Sequence, residues 1–281
     1  MKCYKLTDEQ KIDIVNLYQT GKYSCAELGR MYKVKGSSII SILTRRGIKI
    51  NKDYGGHKHK RKYQLNENYF DIIDNEHKAY WLGFLYADGY HHELRYLIRL
   101  SLQETDGYIL DSFANDLEST KPLYIEKPSK KGKQNSKIIA ITSKHMSCKI
   151  KELGIHQNKS FTIKFPTNKQ VPDHLIHHFI RGYLDGDGWI SISKSQTYRL
   201  GFVGSKDFIS QLCLLLSQYF PHVHIHITHR MNNSNKEILI LGVNQLQAIL
   251  DIADWIYKDA TIYLDRKFNK YKELEKIKDD K

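Results

Sequence analysis

Cysteine is scarce and scattered in this chain: Cys3, Cys25, Cys148 and Cys213 are its four, and no two form a Cys-x-x-Cys pair. A zinc ribbon and a disulfide framework both need clustered thiols, so neither is expected and a reducing interior suits the chain. Long apolar runs are missing too. The longest, such as Leu212 to Leu216, fall far short of the ~20 residues that cross a bilayer. The polar opening Met-Lys-Cys-Tyr-Lys has no signal-peptide character, so a soluble, intracellular protein is expected, with no membrane partner. Acid is also short: 31 Asp and Glu stand against 44 Lys and Arg, leaving a formal charge of +13. An imbalance of that size is the electrostatic footprint of a polyanion binder, although membrane-surface and ribosomal proteins share it.

What is present suffices for packed cores. Of 281 residues 41% are hydrophobic and 11% aromatic, with 19 tyrosines, which suits one medium domain plus an appendage, or two fused halves. Residues 1–48 read as short helices. Thr7 or Asp8 caps a set formed by Ile12, Val15, Leu17 and Tyr18; Ser24 caps a second with Ala26, Leu28 and Met31; a turn at Lys33 to Gly36 precedes Ile39, Ile40 and Leu43. Small Ala26 and Gly29 beside that turn suggest a helix-turn-helix, for which Ser37, Ser38, Arg45 and Arg46 are the candidate DNA contacts. Residues 49–74 have no apolar periodicity, and 49–64 are strongly basic. They read as a linker whose Lys58, Arg61 and Lys62 lie along phosphates.

Beyond the linker one pattern occurs twice. Tyr80 to Gly89 matches Phe179 to Gly188, placing Asp88 and Asp187 at an offset of 99 residues. A segment with β alternation follows each, with Arg99 at 11 positions after Asp88 and Arg199 at 12 after Asp187. Each then leads to a helix opened by an acid (Asp106, Asp207), two further strands and a last helix. The fold class expected is therefore α+β: two αββαββα units, 75–165 and 166–281, related as a fused pseudo-dimer, plus the small all-α domain. Across Arg95 to Gln103 the even positions 96 to 102 are apolar and the odd ones polar except Leu97, which predicts a sheet with one wet face. Arg95, Arg99 and Arg199 are candidates to read DNA from such a face.

Within each copy two small residues lie one helical turn apart, Gly83 and Ala87, then Gly182 and Gly186. Two such stripes let helix backbones approach closely. Each helix ends in Asp followed by Gly, the glycine being read as a left-handed cap. The acid is the informative part. A carboxylate at a helix C-terminus opposes the macrodipole at a cost of about 0.3–1 kcal/mol, and two brought side by side repel each other. A divalent cation removes the conflict, since Mg²⁺ takes hard oxygen ligands, and metal-bound water can hydrolyse a phosphodiester.

Trp81 to Gly89 and Ile180 to Gly188 resemble the LAGLIDADG motif of homing endonucleases, present twice as in single-chain members. Tyr86 replaces the first Asp of the motif and Trp81 a Leu. The resemblance spans roughly 75–271 and implies two four-stranded sheets forming a saddle over duplex DNA. It implies site-specific cleavage of both strands with Mg²⁺ (or Mn²⁺) held by Asp88, Asp187 and the carbonyls of Ala87 and Gly186. Lys159 and Lys267, near the ends of the repeats, match lysines thought to stabilise the transition-state phosphate. A monomer with internal pseudo-twofold symmetry and no small-molecule cofactor is expected. The alternative is a relative that kept the fold and lost cleavage, acting as a DNA-binding regulator or RNA-splicing cofactor. An intein is not expected, since residue 1 is no nucleophile and the last residues are Lys-Asp-Asp-Lys.

Two polar stretches join predicted strands at matching places and are expected to contact DNA: Lys130, Lys131 and Lys133 in the first, Arg230, Asn232 and Lys236 in the second. Lys194, between the first two strands of the second unit, is expected to do the same. His222, His224 and His226 alternate with apolar residues and read as the outer face of a strand rather than a zinc site.

Overall fold

The structure is a computed structural model that describes residues 6–50, 61–128, 134–231 and 236–280. The chain divides into two compact units, 1–62 and 63–281.

The first unit is three helices, α1 (Asp8–Gln19), α2 (Cys25–Met31) and α3 (Gly36–Arg45). Both predicted starts are capping boxes. The Gln10 amide donates to Thr7 Oγ1 at 3.2 Å while the Thr7 amide donates to Gln10 Oε1 at 3.0 Å, and Ser24 and Glu27 do the same at 3.2 and 2.8 Å. The core is Ile14, Tyr18, Cys25, Leu28, Ile39 and Leu43. Ile12, Ala26, Met31 and Ile40, expected inside, are exposed. On α1 the inward stripe runs through Ile14 and Tyr18, one turn apart, so Ile12 lies off it. The close crossing of α2 and α3 holds: a Cβ on Gly29 would meet the Val34 carbonyl oxygen at 2.8 Å. Ser37, Ser38, Arg45 and Arg46 are all exposed.

The second unit contains two topologically matched halves. The first runs α4 (Glu76–Asp88), β1 (Tyr90–His92), β2 (Leu97–Gln103), α5 (Ile109–Asp116), β3 (Tyr124–Glu126), β4 (Ser136–Thr142) and α6 (Lys144–Glu152). The other runs α7 (Ile176–Asp187), β5 (Gly188–Ile192), β6 (Tyr198–Gly204), α8 (Lys206–Tyr219), β7 (His226–Met231), β8 (Glu237–Val243) and α9 (Leu246–Ile256), followed by α10 (Asp265–Asp279). Both antiparallel sheets share one strand order, β1-β2-β4-β3 and β5-β6-β8-β7. The alternation in β2 sends Ile98, Leu100 and Leu102 into the core and leaves Arg99 and Gln103 on the open face. One hydrophobic core runs through both halves, from Tyr69 to Leu274.

Four expectations need correction. The linker ends earlier than 74: Tyr69, Phe70 and Ile73 are buried in the main core, so 63–74 belong to the second unit. Arg95 is not in a strand but in a 3₁₀ turn ended by Tyr96, whose left-handed φ of 51° delays β2 to Leu97. Asp106 precedes α5 by three residues and sits in the turn before it. The histidines do not share a strand face, because β7 begins only at His226; His222 instead pairs with Asp251 at 2.8 Å.

Candidate active site

The two helices with the small-residue stripes pack against each other along them. A Cβ on Gly83 would come within 1.9 Å of the Phe179 carbonyl oxygen, and one on Gly182 within 1.9 Å of the Tyr80 carbonyl oxygen. Any side chain there forces the backbones apart. The contact continues to the helix ends, where a Cβ on Gly186 would lie 2.3 Å from the Ala87 Cβ and 3.4 Å from Asp88 Oδ2. The close packing of the two helices thus brings both carboxylates to one cleft.

The glycines after the aspartates are not left-handed caps: Gly89 has φ −69° and Gly188 φ −117°, which any residue adopts. Glycine is needed there for room. A Cβ on Gly89 would lie 2.4 Å from the Leu85 carbonyl oxygen, and one on Gly188 2.8 Å from that of Leu184.

Asp88 and Asp187 line one cleft of about 440 Å³, together with Asn158, Lys159, Ser160 and Phe161. Asp88 is partly open to solvent within the cleft and Asp187 is half-buried. The walls strip hydration from both carboxylates, and this burial raises both pKa values against the pull of Lys159 and Lys267. Asp187, which also feels the charge of Asp88, is pushed up to about 6. Lys159 and Lys267 are both buried, which pulls each down to about 8 despite nearby carboxylates. Lys159 Nζ donates to the Ala87 carbonyl oxygen at 2.7 Å. Lys267 Nζ donates to three carbonyl oxygens, Leu184 at 2.5 Å, Asp185 at 2.8 Å and Gly188 at 2.7 Å. The two predicted aspartates and two predicted lysines therefore converge from four separate stretches of sequence. Among the described residues no group of three His, Cys, Asp or Glu side chains could hold a metal ion, so any cation at this cleft would have to rest on two carboxylates and main-chain carbonyls.

Sequence reasoning missed the buried supports. At the sixth motif position Tyr86 donates its hydroxyl hydrogen to the Leu153 carbonyl, and Asp185 accepts from the Leu264 amide at 2.8 Å and the Tyr80 hydroxyl at 2.8 Å. Each motif helix is so tied to the segment leading to its lysine. A polar residue inside an apolar helix was the available signal. Arg181, fully buried, donates to Glu76 at 2.5 Å across the two motif helices and to the carbonyls of Ile256 and Ile262, each at 2.9 Å. It joins the helix pair to the loop before α10.

The predicted DNA contacts fall in several places. Arg199 is exposed on the open face of the second sheet, in a groove of about 550 Å³ with Trp189, His226, Thr228 and Arg230. Arg99 lies on the open face of the first sheet, its charge engaged by Glu126 at 2.6 Å. Lys194 is exposed in the β5–β6 turn, Arg95 in the turn before β2. Lys236 is exposed, with its ammonium 4.8 Å from the ring of Phe161 at the cleft wall. Arg61 and Lys62 are exposed at the end of the first unit. Lys58, Lys130, Lys131, Lys133 and Asn232 lie outside the described residues. Among the described residues no helix is long and apolar enough to cross a membrane.

No curated protein matches the chain. Its fold is similar to that of the LAGLIDADG homing endonuclease I-GzeII in complex with its DNA target, at 11% identity and TM-score 0.45 over 72% of this chain and 89% of that one. I-DmoI in complex with DNA and Ca is similar at 13% identity and TM-score 0.40 over 75% and 99%. The N-terminal LAGLIDADG domain of DUF199/WhiA is similar at 19% identity and TM-score 0.39 over 68% and 89%. Residues 175–259 match the family model of a LAGLIDADG-like domain. The matched residues lie in the half of the second unit that carries Asp187, and the half that carries Asp88 has the same order of elements and the same strand order in its sheet.

Proposed function

We propose that this chain is a site-specific endonuclease that hydrolyses phosphodiester bonds in both strands of duplex DNA, using divalent cations held between Asp88 and Asp187. The observation that carries the reading is that Asp88, Asp187 and the buried Lys159 line one cleft, with the charge of the buried Lys267 near enough to act on both carboxylates. The donor set fits Mg²⁺ or Mn²⁺, being carboxylates and the nearby carbonyls of Ala87 and Gly186, all hard oxygens. A bound ion of this kind supplies an activated water and charge stabilisation at the leaving oxygen. The protein's own groups do the rest. The helix pair fixes the spacing of the acids, and Lys159 brings positive charge to the cleft where negative charge develops. The open sheet faces, with Arg99, Arg199 and Arg230, supply groove contacts, and exposed Arg95, Lys194 and Lys236 reach phosphates. The N-terminal helices add affinity as a helix-turn-helix through Ser37, Ser38, Arg45 and Arg46. Because one chain carries both acids, a monomer suffices.

The test begins with a duplex selected as a cleaved site from a randomised DNA library in Mg²⁺. Asp88→Asn and Asp187→Asn should each abolish cutting of that duplex while binding to it in Ca²⁺ persists. If both variants cut as the wild type does, the assignment fails. If the wild type binds a duplex tightly in either ion but never cuts it, the protein is a DNA-binding relative without cleavage.

A further inference from the structure

The open faces of the two sheets differ in chemistry at matched places. Trp189 and Tyr90 each lie two positions after their motif aspartates. In the first sheet Tyr90 stands opposite Arg99, and Arg99 opposite Ala140. In the second, Trp189, Gly201, Gly242 and His226 stand opposite one another across all four strands. The place held by an arginine in one sheet is held by a glycine in the other. Both glycines lie under rings: a Cβ on Gly201 would come within 2.3 Å of Trp189 Cζ2, and one on Gly242 within 2.3 Å of His226 Nε2. Trp189 and His226 thus lie inward across β6 and β8, and only glycine leaves room for them.

The apolar surface continues beside this row. Val203 stands opposite Ile240, and both line the groove with Ile238, all three half-buried. Val203 and Ile238 also line the cleft that holds Asp88 and Asp187. Groove and cleft are therefore continuous, and a duplex held at the aspartates runs on over the strip. Arg199 and Arg230, both exposed, line the same groove and suit a polyanion there. A sheet is too broad for the minor groove, about 6 Å wide, whereas the major groove, about 12 Å wide, admits β-strands. Among the groups that the four bases present in the major groove, only the thymine C5 methyl is apolar.

From this we infer that the strip formed by Trp189, Val203, Ile238 and Ile240 recognises thymine methyls in the major groove of one half of the target, while the first sheet, with Arg99 in the matched row, reads the other half without them. The inference rests on the nuclease reading for the presence of DNA and names what one half of that site discriminates.

The experiment uses the full-length protein and a duplex recovered from a randomised library by binding in Ca²⁺, so it does not depend on cutting. Each thymine is replaced in turn by deoxyuridine, which removes the methyl and keeps the base pair, and affinity is read by fluorescence anisotropy. Loss of one buried methyl should weaken binding about 4-fold, equivalent to about 0.8 kcal/mol. The sensitive thymines should cluster in one half of the duplex, with uridine in the other half leaving affinity unchanged. In Trp189→Ala and Ile240→Thr the uridine penalty should shrink towards none. A variant that merely loosens the sheet weakens both duplexes alike and keeps the penalty, so a structural role is separated. Should Trp189→Ala not fold, Ile240→Thr, on the open face, carries the test. No sensitive thymine, sensitivity spread equally over both halves, or a penalty undiminished in the folded variants overturns the inference and leaves the nuclease reading in place. The expected pattern on a duplex that is never cut in Mg²⁺ supports the inference and overturns the nuclease reading. Recovery of no bound duplex overturns both.

Discussion

Replacing Asp187 by Asn should make the metal-free protein more stable, although the same change removes its activity. The ordinary carboxyl of an Asp titrates near 3.8, and in the fold this one is raised to about 6, first by burial and then by the charge of Asp88. Between those values the native state holds its proton more tightly than the unfolded chain, so stability falls as pH rises through the window, and the full cost is present above about 6. A shift of about 2 units corresponds to a ceiling of about 3 kcal/mol, and partial exposure with solvent screening brings the expected range to about 1–3 kcal/mol. For a unit of this size that is roughly 3–9 °C in Tm. All three tryptophans, Trp81, Trp189 and Trp255, lie in the second unit, so their fluorescence follows its unfolding apart from the N-terminal helices. In urea titrations at pH 8 with a chelator, Asp187→Asn should be the more stable protein, and at pH 4 the advantage should vanish. Adding Mg²⁺ should then stabilise the wild type by mass action, about 2.7 kcal/mol at a hundredfold excess over Kd, and leave the variant nearly unmoved. A variant less stable than the wild type at pH 8 in chelator would refute the idea that these carboxylates conflict until a cation joins them.

Three further outcomes follow, two from the packing and one from the charge of the N-terminal helices. Gly182→Ala drives a methyl into the Tyr80 carbonyl and should cost at least about 3 kcal/mol in denaturant titrations; a loss under 1 kcal/mol would show that the helices separate easily. Arg181→Met leaves Glu76 without its cation in a largely buried place and should cost about 3–5 kcal/mol, with Glu76→Gln in the same chain recovering part of it. Removing residues 1–48 should weaken binding to the selected duplex and reduce the slope of log affinity against log salt, and an unchanged slope would exclude phosphate contacts by Arg45 and Arg46.

Much of the arrangement was legible in the sequence because it rests on local rules. Thr7 and Ser24 announce their helices through capping chemistry, and the alternation in β2 names its core face. Gly83 and Gly182, at matched positions of a repeated pattern, foretell the close helix pair and with it the neighbouring acids. What escaped depends on contacts between distant segments. Nothing local distinguishes Lys267, saturated by three carbonyls from residues some 80 positions earlier, from Lys159 with one. Arg181 reads as a surface residue until Glu76 and the Ile256 and Ile262 carbonyls close around it. The glycines after the aspartates misled for a related reason: the Leu85 and Leu184 carbonyls crowd them, and chain direction plays no part. Tyr96 shows the reverse error, a left-handed bulky residue that interrupts an otherwise regular alternation.

The measurement closest to the central claim is an anomalous-scattering map from crystals of the protein grown with Mn²⁺ and the selected duplex. The account predicts density within coordination distance of both the Asp88 and Asp187 carboxylates, with Lys159 directed at an adjacent phosphate. Manganese bound elsewhere, with the two carboxylates contacting only protein, would contradict it.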